Sequence, residues 1–222
     1  MLHLQFDSDD DDDNFTLDVG LKYLTTKDAE TTLNAIPEDH KRRMKKIWIA
    51  NNQLDAVPEA LLAWPHLTSL GLTNNRIEHL PDWIGNFTCL EELAVGDNKL
   101  EAIPRSVGNL VNLTSLHLQW NHLLTALPSS ILKLTNLSTL YLNRTGLPSR
   151  FQTVCFDQRK TQKLLFEIAV LEWRKHAQHA AVTWILIASY AGLCSKDIAR
   201  LIGKIICETH REEIWEEAAS NQ

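Results

Sequence analysis

Several things are scarce in this 222-residue chain, and each scarcity narrows the field. It has four cysteines, Cys89, Cys155, Cys194 and Cys207, with no C-x-x-C spacing among them. That removes the common zinc and dithiol-redox signatures. No apolar signal segment opens the chain, so reduced thiols in a cytoplasmic setting are expected. Glycine-rich phosphate loops, nucleophile elbows and zinc signatures are missing, and no enzyme is expected. There is no excess of basic charge: the net charge is −6. Asp7 and Asp9 to Asp13 supply six negative charges, so the remainder balances, which argues against nucleic acid as a partner. That aspartate run reads as a solvated segment. It lacks the glycine and glutamate that a calcium loop needs at its sixth and twelfth places. His176 and His179 lie three apart without further ligands, so neither a metal nor any other cofactor is expected. Long apolar runs are also lacking. Residues 180–195 carry no formal charge, but they fall short of the roughly 20 residues of a membrane span. A buried core helix is the expectation there, with no stable span.

What the chain does have is a repeat. Leu67-Thr-Ser-Leu70-Gly-Leu72-Thr-Asn-Asn75 is followed by Leu90-Glu-Glu-Leu93-Ala-Val95-Gly-Asp-Asn98, then by Leu113-Thr-Ser-Leu116-His-Leu118-Gln-Trp-Asn121. The repeats start at Met44, Leu67, Leu90, Leu113 and Leu137, 23, 23, 23 and 24 residues apart. Apolar residues alternate with outward ones over the first few places of each unit, which is strand periodicity. The ninth place holds Asn52, Asn75, Asn98 and Asn121. An asparagine amide both donates and accepts, so it can satisfy backbone groups where the chain turns out of its strand. After the turn come Leu54, Ile77, Leu100 and Leu123. The pairs Val57-Pro58, Leu80-Pro81, Ile103-Pro104 and Leu127-Pro128 follow. Proline has no N–H, so it suits a return arm outside the strand ladder. No unit can bury its apolar side alone, and stacking does so.

The L-x-x-L-x-L-x-x-N pattern resembles the leucine-rich repeat family, in the 23-residue form with a proline in the return arm. The resemblance implies an α/β fold, a leucine-rich repeat solenoid with a parallel concave sheet, and the change of period in the last third adds a small C-terminal helical domain. The expected division is an acidic, partly disordered segment over 1–32, an N-terminal cap over 33–43, about five repeats over 44–148, and a helical domain with an acidic tail over 149–222. Leu33-Asn-Ala-Ile36-Pro37 reads as the tail of an earlier, damaged unit. In the last part, Leu164, Leu165, Ile168 and Leu171 predict an amphipathic helix from Gln158. Further helices are expected over 180–193 and from Ser195 onward.

Such arrays bind rather than react, so a target protein is expected on the concave face, as a peptide, loop or helix. The candidate residues are Lys46, Trp48, Thr73, Glu92, His117, Gln119, Trp120, Tyr141 and Asn143. Gly71, Ala94 and Gly96 are expected to leave a low floor between aromatic flanks. Exposed Trp and Tyr are common interface anchors. Near the C-terminus, Glu212, Glu213, Glu216 and Glu217 stand at the negative end of a predicted helix, where glutamate is disfavoured. This cluster resembles the translocation signal of Dot/Icm type IV secreted effectors, among which leucine-rich repeat proteins are common. The resemblance implies an effector that acts on a host protein in the host cytosol, reached without a cleaved signal peptide; the chain is expected to be a monomer. An alternative makes the helical part an adaptor that recruits a larger complex, such as a ubiquitin-ligase machinery. Ligase activity in the chain itself is disfavoured, because Cys194 and Cys207 lie in apolar runs that oppose thiolate formation.

Overall fold

The computed structural model describes residues 5–7, 15–20 and 23–176. They lie within the compact unit Met1–Ala177. The helices expected over 180–193 and beyond Ser195 lie outside the described residues. So do Glu212, Glu213, Glu216 and Glu217.

The strands are short, and in those of the repeats the inner residues Ile47, Leu70, Leu93, Leu116 and Leu140 are buried. In chain order they are β1 (Gln5–Asp7), β2 (Phe15–Asp18), β3 (Met44–Trp48), β4 (Ser69–Gly71), β5 (Glu92–Ala94), β6 (Ser115–His117), β7 (Thr139–Tyr141) and β8 (Val154–Cys155). They form one sheet in that order. Strands β2 to β7 run parallel, and β1 and β8 pair antiparallel at the two edges. The solenoid fold read from the repeat is therefore observed.

Each return arm is a 3-10 helix preceded by its proline. Pro58, Pro81, Pro104 and Pro128 stand before Glu59–Ala63, Asp82–Asn86, Arg105–Asn109 and Ser129–Lys133. Leu61, Ile84, Val107 and Ile131 from these arms are fully buried beneath the sheet, with Leu70, Leu93, Leu116 and Leu140 above them. The arms stack closely. A Cβ on Gly85 or Gly108 would lie 2.5 Å from the carbonyl oxygen of Ser106 or Ser130 in the next coil, so only glycine permits this spacing.

The asparagine ladder closes each turn. The Asn98 amide donates to the carbonyls of Leu72, Val95 and Gly96 at 2.9, 3.1 and 3.1 Å, and its oxygen accepts from the Ile77 N–H at 3.0 Å. Asn75 and Asn121 repeat this pattern against Leu54 and Leu100. In the final unit Thr145 takes the place and donates to the Leu142 carbonyl at 2.8 Å.

Three details differ from the sequence expectation. First, coiling begins before residue 33. Strand β2 stands beside β3, and Asn52 bonds to the Val19 carbonyl and the Leu24 N–H of the segment before it. The arm of this coil is the α-helix α1 (Thr26–Asn34), capped by Thr25 and Asp28, and α2 (Glu38–Arg43) follows. A helix in place of a 3-10 arm lengthens the unit, so the 23-residue period hides it. Second, Leu124 is fully buried while Leu123 is 54% exposed. The 24-residue unit has its extra residue between Asn121 and Leu127, which moves the inward place along by one. Third, residues 149–157 do not begin the helical part. A 3-10 turn at Ser149–Phe151 and strand β8 close the last coil before α3 (Gln158–His176). That helix seats Leu165, Phe166 and Ile168 in the core, and Gln158, Thr161 and Gln162 donate to the carbonyls of Thr135, Ser138 and Leu134.

Candidate functional site

The parallel register stacks the outward residues of the strands into columns. Lys46, Ser69, Glu92, Ser115 and Thr139 form one, and Trp48, Gly71, Ala94, His117 and Tyr141 form the next. The repeat spacing continues this with Ala50, Thr73, Gly96, Gln119 and Asn143. Ser115 thus takes the outward place in the fourth unit that the sequence reading left out.

Trp120 does not belong to this face. It occupies the turn just beyond the strand, in register with Asn51, Asn74, Asp97 and Arg144. All five have left-handed backbones, with φ of 61° at Trp120. Its indole is 45% exposed and lies under the Arg144 guanidinium at 5.3 Å. The strand ends at His117 and the backbone has already turned by residue 120, which aims this side chain at the rim.

The floor is also not low. A Cβ on Gly71 would lie 2.2 Å from the Trp48 ring, so the indole lies directly over this glycine. Gly96 is covered in the same way by the Gln119 amide. The small residues accept the array's own side chains, and Trp48 and Gln119 are half-buried as a result.

The aromatic groups gather at the C-terminal end of the face. The His117 imidazole stacks on the Tyr141 ring at 4.5 Å with 22° between the planes. Tyr141 meets Phe156 edge-on at 5.4 Å, and Phe156 is 68% exposed. Phe156 is a member of the site that sequence reasoning missed. It follows β8, whose antiparallel return onto β7 breaks the repeat and leaves no periodic signal. Polar groups border this cluster. His117 Nε2 lies 2.9 Å from the Ser115 hydroxyl and 3.8 Å from a Glu92 carboxylate oxygen, and Ser69 donates to the other oxygen at 3.0 Å. Burial pushes the His117 imidazole below its ordinary value, and the Glu92 carboxylate partly offsets this. The buried side-chain oxygens of Gln119 and Asn143 have no hydrogen-bond partner. Lys46 is exposed and Thr73 is half-buried, both toward the first coils.

Such a surface offers apolar rings bordered by one carboxylate, which suits recognition. Burial raises the Cys155 thiol and disfavours the thiolate a nucleophile needs. Among the described residues no group of three or more His, Cys, Asp or Glu could hold a metal ion. No helix among them is long and apolar enough to cross a membrane.

A family model described as "Leucine-rich repeat region" matches residues 50–186. A search of curated proteins found no match. Among solved structures the chain is similar to a leucine-rich repeat protein of Leptospira interrogans, at 30% identity and a TM-score of 0.49, covering 60% of this chain and 32% of that one. It is also similar to the plant peptide hormone receptor RGFR1 in complex with RGF2, at 36% identity and a TM-score of 0.44, covering 50% of this chain and 19% of that one. The ectodomain of the receptor kinase SOBIR1 from Arabidopsis thaliana follows at 25% identity and a TM-score of 0.46, covering 60% and 71%. The matched stretch is thus a third or less of the first two chains.

Proposed function

The chain belongs to the leucine-rich repeat family, and from that premise we propose that it is a non-enzymatic scaffold that binds a target protein on its concave face. The observation that supports this most is the aromatic run His117, Tyr141 and Phe156. Its outermost ring is 68% exposed although the core beneath it is fully packed. An exposed ring on a rigid platform costs little conformational entropy to bind, and such rings dominate interface energetics. Glu92 and Thr139 border it with polar groups that fix orientation. Lys46, Trp48 and Thr73 extend the contact toward the first coils. The occupant is a peptide, loop or helix of the partner.

The test is capture of partners from host-cell lysate by the wild-type chain and by a Tyr141→Ala/Phe156→Ala variant. A partner held equally by both, with the variant folded, counts against the concave face.

We also propose that this partner belongs to a host cell and that the chain reaches the host cytosol as a translocated effector. Support comes from Glu212, Glu213, Glu216 and Glu217 alone. A reporter fused to the chain measures it directly. Replacing the four glutamates by glutamine abolishes transfer on this reading, and undiminished transfer rejects it.

A further inference from the structure

We infer that the rim of the fourth coil, built from Trp120, Leu123 and Arg144, is a second binding surface, and that it takes an acidic segment of a partner protein with an apolar side chain beside its carboxylate. This surface is separate from the concave face. Three observations carry the inference.

The first is backbone strain. The left-handed turn place holds Asn51, Asn74 and Asp97 in the preceding coils, with φ of 58°, 57° and 53°. Asparagine and aspartate tolerate that conformation, and bulky residues resist it. Trp120 and Arg144 nevertheless adopt it, with φ of 61° and 60°. The fold needs neither side chain there, because three coils make the same turn with small polar ones. Strain that the scaffold does not require points to use.

The second is exposure. Trp120 and Leu123 are 45% and 54% exposed, three residues apart. Leu123 is turned outward because the fourth unit carries one residue more than its neighbours. The bulge is held firmly: Gly146 packs so close that a Cβ there would lie 2.5 Å from the His122 carbonyl oxygen.

The third is charge. The Arg144 guanidinium lies over the indole at 5.3 Å and pairs with no carboxylate among the described residues. The His122 ring stands edge-on to Trp120 at 6.0 Å. Asp97 occupies the same column one coil earlier. A partner carboxylate therefore docks on the Arg144 side, as a charge-assisted bond to a planar fork, and its apolar neighbour rests between Trp120 and Leu123.

The test selects random peptides displayed on phage against the full chain and measures the enriched sequences on two variants. The expected result is peptides that carry Asp or Glu next to an apolar residue. Their affinity should fall at least tenfold on Trp120→Asn and on Arg144→Gln, and stay unchanged on Tyr141→Ala. Enriched peptides without an acidic residue overturn the inference. So does an affinity lost on Tyr141→Ala but kept on Trp120→Asn, a result that would leave the concave reading intact. A selection that enriches nothing on the wild type also overturns it.

Discussion

Replacing the ladder asparagines one at a time should destabilise the array by amounts that differ in a predictable order. In Asn98→Ala the three carbonyls lose one donor each, but each keeps another. The Leu72 carbonyl retains the Asn75 amide at 3.0 Å, the Val95 carbonyl retains Asn121 at 3.0 Å, and the Gly96 carbonyl retains the Asn74 N–H at 3.0 Å. Only the buried Ile77 N–H is orphaned. A buried unpaired donor costs about 1 to 3 kcal/mol, so a loss of about 2 kcal/mol is expected. Asn121→Ala orphans the Leu100 N–H and also the Leu118 carbonyl, which takes no second donor because Thr145 bonds its own coil at Leu142. Asn75→Ala likewise orphans the Leu54 N–H and the Ile49 carbonyl. Each of these should cost about 1 kcal/mol more than Asn98→Ala, the worth of one further unpaired group. Urea denaturation of the three variants reads the order as shifts of the midpoint at constant slope. If Asn98→Ala is the most destabilising, or costs less than about 0.5 kcal/mol, the shared-carbonyl reasoning is refuted.

Leu124→Ala should cost about 2 to 5 kcal/mol as a core truncation, and Leu123→Ala should stay within about 0.5, as urea midpoints will show. Gly85→Ala and Gly108→Ala should each cost about 1 to 3 kcal/mol, because the new methyl meets rigid backbone, while Gly96→Ala meets only the mobile end of Gln119 and should cost under about 1. His117 titrates below its ordinary 6.5 in the folded chain because of burial. In the window below 6.5 the unfolded chain therefore binds more protons, so the His117 contribution is present above 6.5 and is lost as pH falls through it. His117→Gln should show a smaller drop in urea midpoint between pH 7.5 and pH 5.5 than the wild type.

The parts of the fold that were readable in the sequence are those where each residue's place is set by contact with its own copy one coil away. Leu70, Leu93 and Leu116 bury against one another, and Asn75, Asn98 and Asn121 bond across coils, so their spacing is forced to 23. The strand at Phe15–Asp18 was hidden because its arm is the helix α1. At Leu123 and Leu124 a one-residue insertion leaves two leucines side by side, and periodicity cannot choose which of them turns inward. At the site, the columns holding Lys46, Trp48, Glu92, His117 and Tyr141 follow from the strand register. What occupies the space above Gly71 and Gly96 does not, because rotamers of Trp48 and Gln119 decide it. Trp120 adjoins the outward Gln119, but the left-handed turn at Trp120 takes it out of the alternating run, which its neighbour's place in the strand does not reveal. Phe156 was invisible because an antiparallel edge strand carries no repeat.

The central claim is that the aromatic end of the concave face holds the partner. Surface plasmon resonance between the full chain and a protein it captures from host-cell lysate tests it most directly, comparing wild type with Tyr141→Ala/Phe156→Ala at matched urea midpoints. The expected result is at least a tenfold loss of affinity, about 1.4 kcal/mol, from removing two anchors. An affinity unchanged by the double substitution contradicts the claim.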